Sequence, residues 1–370
     1  MPVIYLFYNE NGFSTTELFG LHAIYSIVIA VLEVPSGYFA DACGKKTALV
    51  TGTFLGVLGF SAYSVSHTLT GFIIAEILLG IGESFVSGAD SAILYDTLAE
   101  QKKEKNYLKT ESRLSAVGNA SEALAGLFVS LVVFQTVRIN FFLQTILTFI
   151  AFIAACFLIE PHIHIDRKKP GFGEILGIVG YTFRENRILG KFVVFSAIIG
   201  YSSLLMAWFA QPIFNQAGLD KNYYGYAWVV LNSLVAAGSL LALKINHFLG
   251  AKAIFVFIAA GMSVFYLLVA LEISYLAFIP MAVFYIIRGS AHPILKNYIN
   301  NHTPSDKRAT VLSLRSLLIR ILYSSTGPFL GVVSDTISLS TALYLCGTSI
   351  FISAMVFAFL ILREHYNNLH

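Results

Sequence analysis

Acidic residues recur at a regular spacing in a strongly apolar stretch of the chain, where Glu76, Glu83 and Asp90 are seven residues apart. In an α-helix this spacing places the three side chains on one face over about 21 Å. Glu122 lies in a second apolar stretch, at a depth similar to that of Glu83. Burial and a neighbouring carboxylate both disfavour the ionised form of a carboxyl group, so such residues can bind protons. The pattern predicts a proton pathway, with Glu83 as the favoured carrier.

Basic residues take the corresponding positions in the second half of the chain. Arg288 shares a helix face with His292, Arg320 lies in a serine-rich stripe, and Gln211 adds a polar group to a further apolar stretch. An unpaired charge at the middle of a bilayer costs from about 2.5 to over 10 kcal/mol, so these side chains must face water or one another. Two interpretations stay open: a cavity that is acidic on one half and basic on the other, or buried ion pairs that only stabilise the fold.

The composition excludes an ordinary soluble protein. Of the 370 residues, 56% are hydrophobic and 12% are charged, against about 25% charged in a typical soluble domain. A membrane-spanning helix needs about 20 mostly apolar residues. Six stretches reach this length without Asp, Glu, Lys or Arg, namely 47–75, 139–159, 192–219, 222–243, 253–271 and 336–362.

The apolar runs predict eleven full membrane spans, with a partial one before them. Residues 2–8 rise only about 10 Å as a helix, against a hydrocarbon core of about 30 Å. We therefore expect that the natural reading frame begins upstream, or that the gene model is incomplete. The full spans are predicted at 18–41, 45–66, 69–98, 107–135, 139–160, 192–216, 222–244, 252–272, 276–299, 309–334 and 338–362.

Lysine and arginine residues set the expected orientation. Eighteen of them fall in loops and ends on one side of the predicted membrane, and only Arg138 and Lys221 fall on the other. Cytoplasmic loops carry an excess of Lys and Arg, so the first side, with the C-terminus, is predicted to be cytoplasmic. The longest loop, 161–191, lies on that side and contains an amphipathic helix pattern. It separates an N-terminal bundle, 1–160, from a C-terminal bundle, 192–370.

One segment carries a recognisable motif. The sequence Gly37-Tyr-Phe-Ala-Asp41-Ala-Cys-Gly44-Lys45-Lys46 resembles the G-x-x-x-D-[RK]-x-G-[RK]-[RK] signature of the major facilitator superfamily, in the loop between the second and third spans where that family has it. The resemblance implies an all-α membrane fold of two six-helix bundles related by a pseudo-twofold repeat. It also implies a gating role for Gly37, Asp41, Gly44, Lys45 and Lys46, which steady the outward-facing arrangement in that family.

A second segment departs from the family pattern at one position. The run Ala75-Glu76-Ile-Leu-Leu-Gly80-Ile-Gly82 resembles the family's second motif, but Glu76 stands where the family usually has arginine. A role copied from that arginine is therefore not expected here, and Glu76 is assigned to the acidic pathway instead.

These features predict a secondary transporter of the cell membrane that moves a small solute by alternating access, coupled to protons or another ion. The arginines favour an anionic or zwitterionic solute. A multidrug exporter of the same fold and a transport-dead receptor stay open as alternatives. Motifs of a phosphate loop, a metal site or an intramembrane protease do not occur in the sequence, so we expect no enzyme activity, metal or cofactor, and no nucleic acid partner.

Overall fold

The computed structural model describes residues 4–87, 89–103, 137–161, 177–271, 273–304 and 307–367, with residues 106, 110, 114, 117, 118, 121, 122 and 124–128 between the second and third of these ranges. Within these residues the regular structure is entirely helical. The chain divides into two compact units. Unit 1 comprises Met1–Phe13 and Gly20–Arg167, and unit 2 comprises Ser14–Phe19 and Lys168–His370.

Eleven α-helices are described by their full bounds. The helices α1 to α6 are Ile4–Glu10, Thr15–Cys43, Lys45–Val65, Leu69–Val86, Ala89–Glu100 and Ile139–Cys156. The helices α7 to α11 are Arg187–Gln216, Tyr224–Leu271, Phe278–Asn301, Arg308–Thr336 and Leu339–Asn367. The helices α1 to α6 belong to unit 1, apart from the first turn of α2, which belongs to unit 2. The helices α7 to α11 belong to unit 2.

Ten segments of the described residues are long and apolar enough to cross a membrane. They confirm the all-α membrane fold predicted from the apolar runs. The predicted span 107–135 lies mostly outside the described residues. Two predicted boundaries differ from the structure, one inside the span 69–98 and one between the spans 222–244 and 252–272.

The first difference is a helix end inside one predicted span. The helix α4 ends at Val86 with Ser87 as its C-cap, and α5 begins at Ala89. Breaks in long helices occur at Gly and Ser pairs, and Ser87 precedes a glycine here. Asp90 therefore belongs to α5, and the predicted acidic face is not carried by one continuous helix.

The second difference is a connection without an intervening loop. The predicted spans 222–244 and 252–272 correspond to the membrane-length segments Lys221–Gly250 and Ala253–Leu271, which α8 joins without a loop. They meet at Gly250, which has φ 67° and ψ 173° and therefore bends the chain between them. Only glycine adopts this left-handed backbone without strain.

Close glycine contacts set the helix packing inside each unit. In unit 1, a Cβ atom on Gly52 of α3 would lie 2.6 Å from the carbonyl oxygen of Gly82 on α4. In unit 2, a Cβ atom on Gly289 of α9 would clash with the carbonyl oxygen of Val235 on α8. Small residues let helix backbones approach closely in membranes, so these pairs fix the distance between the helices that carry the candidate site.

Candidate proton and substrate pathway

A buried hydrogen-bond chain in unit 1 connects three helices. Tyr63 of α3 donates its hydroxyl proton to Oε1 of Glu76 on α4 at 2.5 Å. The hydroxyl of Tyr8 on α1 lies 2.5 Å from that of Tyr63. The tyrosine side chains are 1% exposed and Glu76 is 6% exposed. The Glu76 carboxyl group, predicted from the sequence to belong to the pathway, is therefore held in the protein interior.

An aromatic cluster surrounds this chain and excludes water from it. Phe7 packs against Phe72 and Phe141, with ring centroids 5.5 and 4.1 Å apart. Tyr63 stacks on Phe72 and on Phe141, at 5.4 and 5.2 Å. All of these rings are buried. An ionised carboxylate in such surroundings loses its hydration without an equivalent replacement.

The basic residue Arg138 of unit 1 forms its hydrogen bonds at the end of α3. Arg138 donates to the carbonyl oxygens of Ser64 and Ser66 at 2.9 and 2.7 Å, and to Oδ1 of Asn11 at 2.7 Å. It thereby caps the C-terminal end of α3, a position where basic side chains are favourable. Burial lowers the pKa of Arg138, and the charge of Glu10 raises it. Among the residues that the structure describes, Glu76 has no basic side chain at ion-pair distance.

The other predicted carboxylates of unit 1 have different surroundings. Glu83 on α4, Asp90 on α5 and Glu122 are all exposed, whereas Glu76 is buried. Oδ1 of Asp90 accepts the backbone N–H of Ser91 at 2.6 Å. The three acidic positions at seven-residue spacing are thus of two kinds: Glu76 is enclosed by protein, whereas Glu83 and Asp90 are exposed, as is Glu122.

The motif loop between α2 and α3 is fixed by an acidic residue that the sequence reasoning missed. Gly44, at φ 98°, is the N-cap of α3 and offers no side-chain acceptor. Glu160 supplies one instead, accepting the backbone N–H groups of Lys45 and Lys46 at 2.9 and 2.6 Å. The Lys45 ammonium group also forms an ion pair with Asp96 near the end of α5. The side chain of Asp41 lies outside the described residues, and Gly37 lies within α2.

The predicted basic residues of unit 2 lie on α9 and α10. The Arg288 guanidinium group lies 5.1 Å from the ring centroid of Tyr285, and Arg320 is half-buried. Arg315, which the sequence analysis did not assign to the pathway, donates from Nε to Oγ of Ser196 on α7 at 2.5 Å. His292 is exposed, one turn beyond Arg288.

These three arginines have no acidic partner in the part of unit 2 that the structure describes. The sequence explains this in simple terms. Between residues 192 and 362, acidic side chains occur only at or beyond the ends of predicted spans, at Asp220, Glu272, Asp306 and Asp335. The interior positive charge of these helices is therefore not balanced from within the second half. Gln211 on α7 is 3% exposed and also lies inside unit 2.

Asp335 of unit 2 forms a set of hydrogen bonds that was not predicted from the sequence. Asp335, at the end of α10, accepts the backbone N–H groups of Thr15 and Thr16 at 3.2 and 2.7 Å, and the Thr16 hydroxyl at 2.7 Å. Gly331 lies one turn earlier, where a Cβ atom would approach the Thr16 Cα atom to 2.7 Å. The Asp335 carboxylate therefore caps the start of α2. The spacing Gly331-x-x-x-Asp335 is the same as that of Gly37-x-x-x-Asp41.

Comparison with known proteins assigns this architecture to a family. Residues 1–322 match the family model described as Major Facilitator Superfamily. The chain is 23% identical over 360 residues to the uncharacterized MFS-type transporter YxaM of Bacillus subtilis (strain 168), with 91% of this chain and 85% of that protein covered.

Solved structures show the same fold. The crystal structure of the nucleoside transporter NupG has a TM-score of 0.75 at 14% identity, covering 96% of this chain and 92% of that one. The crystal structure of a D-xylose-proton symporter has a TM-score of 0.74 at 13% identity, covering 93% and 87%. At this identity the structural similarity establishes the fold alone. Membership of the family rests on the family model, which matches most of the chain. The chain belongs to the Major Facilitator Superfamily.

Proposed function

We propose that this protein moves a small anionic or zwitterionic solute across the cell membrane by alternating access, coupled to protons. The observation that carries the choice of solute is the set of three arginines inside the helices of unit 2. An Arg guanidinium group recognises carboxylate and phosphate oxygens with two parallel hydrogen bonds. A solute anion can therefore balance the charge that the helices of the second half leave uncompensated.

Arg288 and Arg320 are the residues we assign to solute binding. Arg288 lies over Tyr285, which holds the guanidinium group in one orientation through a cation–π contact. Arg315 already donates a hydrogen bond to Ser196, so we do not assign it to direct solute binding. Gln211 and His292 are assigned to the same pathway as polar groups that contact the solute.

The remaining parts of the proposal concern topology. We infer two helical halves, 1–160 and 192–370, joined by the segment 161–191. We also infer that the lysine-rich loops, this segment and the C-terminus face the cytoplasm. The eighteen-to-two distribution of basic residues supports this orientation. The motif residues Gly37, Asp41, Gly44, Lys45 and Lys46 are proposed to steady one of the two access states.

Proton coupling is supported by the buried carboxyl group of unit 1 together with the exposed carboxylates Glu83, Asp90 and Glu122. Transporters of this fold include one described as a D-xylose-proton symporter, so the fold accommodates such coupling. In this chain, acidic residues outnumber basic ones inside the predicted spans of the first half, and basic residues outnumber acidic ones inside those of the second. This separation suits a protein that binds protons and an anion in the same cycle.

The arginine assignment is tested by transport into proteoliposomes. We expect Arg288→Gln and Arg320→Gln to raise the KM for an anionic solute about tenfold or more, because each loses a charged hydrogen-bond donor pair worth about 1.5–3 kcal/mol. Arg363→Gln is the matched control, since Arg363 is exposed near the end of α11. It should leave the KM unchanged.

The solute panel for this test contains carboxylates, amino acids, neutral sugars and nucleosides, and an aromatic dication. Saturable uptake of a carboxylate or amino acid, lost in the two arginine variants, supports the proposal. Export of the dication, with Arg288→Gln and Arg320→Gln unaffected, contradicts it and favours a multidrug exporter.

A further inference from the structure

We infer that the coupling proton binds to Glu76, and that Tyr63 and Tyr8 tie its protonation to the helices α3 and α1. This inference deepens the proposed proton coupling and rests on it only for the role of the site in transport. The site itself is defined by unit 1 alone. It consists of one carboxyl group and two hydroxyl groups in a continuous hydrogen-bond chain.

The environment of the Glu76 carboxyl group favours its neutral form. Glu76 is 6% exposed and is enclosed by rings that exclude water. Within the described residues, no cation pairs with it. A buried carboxylate without a cation is strongly disfavoured relative to its neutral form. The enclosure of Glu76 therefore favours its protonated form.

The surroundings of Glu76 also accommodate its ionised form. Tyr63 donates to Oε1 of Glu76, and a hydroxyl group that donates can also accept. The Tyr8 hydroxyl is placed to donate to the Tyr63 oxygen at 2.5 Å. When the proton leaves Glu76, the carboxylate keeps one strong donor, and the second tyrosine supports that donor. Tyr63 and Tyr8 are positioning residues for the proton site.

Burial distinguishes Glu76 from the other carboxylates of unit 1. Glu83 lies two turns further along α4 but is exposed. Burial therefore does not disfavour the ionised form of Glu83 in this conformation. The proton affinity of a buried carboxylate changes strongly when a neighbouring helix moves. Burial thus favours Glu76 over Glu83 as the carrier, although the sequence alone favoured Glu83.

Among the described residues, the helices in contact with the hydrogen-bond chain contribute these groups. The helix α1 contributes Tyr8 and Phe7, α3 contributes Tyr63, and α6 contributes Phe141, which cannot titrate. Arg138, just before α6, donates to the carbonyl groups that end α3. The proton affinity of Glu76 therefore depends on how α1 and α3 sit against α4. Movement of either helix that breaks the chain of hydroxyl groups changes that affinity.

The direct test is infrared spectroscopy of the purified protein in lipid at neutral pH. A protonated carboxyl group has a carbonyl stretching band that a carboxylate lacks. We expect this band in the wild type and in the control Glu185→Gln, whose site is exposed in unit 2, and its loss in Glu76→Gln. A band that survives in Glu76→Gln, or is absent from the wild type at neutral and mildly acidic pH, overturns the assignment.

The positioning role has its own spectroscopic signature. In Tyr63→Phe the band should persist but move to higher frequency, because hydrogen bonding to the carbonyl oxygen lowers its stretching frequency. A purely structural role for Tyr63 predicts no shift. Glu76→Gln has the shape of the protonated residue, so it should fold and insert normally, which size-exclusion chromatography checks.

Transport separates this inference from the proposed function. In Glu76→Gln we expect exchange of solute across the membrane to persist while uphill uptake driven by a pH gradient is lost. If an anionic solute is not transported at all, the proposed function fails but the infrared result still stands. If the infrared band is assigned to another residue while anionic solute transport is proton-coupled, the site assignment alone fails.

Discussion

Arg138 shows how one side chain organises the end of a helix near the candidate proton site. It contacts the last carbonyl groups of α3 and Asn11, which follows α1. Its guanidinium group also lies over the ring of Phe7 at 5.2 Å. The same residue thus holds together the two segments that carry Tyr63 and Tyr8. From the sequence it was recognised only as one of two basic residues on the lysine-poor side.

We expect Arg138→Gln to destabilise the protein by about 2–3 kcal/mol, because it removes charged hydrogen bonds and leaves carbonyl groups unpaired. Arg138→Lys should recover only part of this loss, since an ammonium group lacks the planar fork of the guanidinium group. Thermal unfolding followed by tryptophan fluorescence measures the effect, with Arg363→Gln as the control. Equal stability of Arg138→Lys and the wild type would contradict the forked contact.

Charged residues inside the predicted spans can be identified from the sequence, but their surroundings cannot. Glu76 and Arg288 stand out because charges are rare in apolar stretches. The burial of Glu76 depends on Tyr63 and Tyr8, which the chain places 13 and 68 residues away. No periodicity links positions that distant, so the preference for Glu83 rested on the acidic face of its predicted helix.

At the scale of the helices, spans were predicted well and their ends less well. Long charge-free runs identify spans because the bilayer sets their length. The break after Val86 and the direct connection at Gly250 depend on single residues in runs that stay apolar on both sides. A hydrophobicity pattern therefore does not predict where such a helix ends. A glycine permits a bend in the backbone, but only the structure shows that Gly250 adopts one.

The α3 N-terminus provides a test at this scale. Glu160 replaces a missing side-chain cap and brings a negative charge to the positive end of the helix. We expect Glu160→Ala to lower stability by about 1–2 kcal/mol, the usual cost of losing a helix cap. Glu160→Gln should lose less, because its amide oxygen still accepts one N–H group.

Thermal unfolding of both Glu160 variants, beside Glu185→Gln as an exposed control, measures this order. If Glu160→Ala is as stable as the wild type, the carboxylate does not cap α3 in the membrane. Increased protease cleavage in the loop between α2 and α3 is the expected local sign of a lost cap.

At the scale of the whole molecule, the sequence shows a separation of charge between its halves. Acidic residues occur inside predicted spans only in the first half, whereas Arg288, Arg315 and Arg320 lie inside spans of the second. This pattern was readable without coordinates, and so was the family, from the motif at Gly37–Lys46. The identity of the solute depends on the shape of the binding site in each access state, which no sequence pattern specifies.

The most direct measurement is proton movement caused by solute in proteoliposomes that contain a pH-sensitive dye and start without a pH gradient. On addition of a carboxylate or zwitterionic solute outside, the proposal predicts a change of internal pH that saturates with solute uptake. It predicts no such change with Glu76→Gln, although solute still equilibrates across the membrane. Saturable uptake of solute with no proton movement in the wild type would contradict proton coupling.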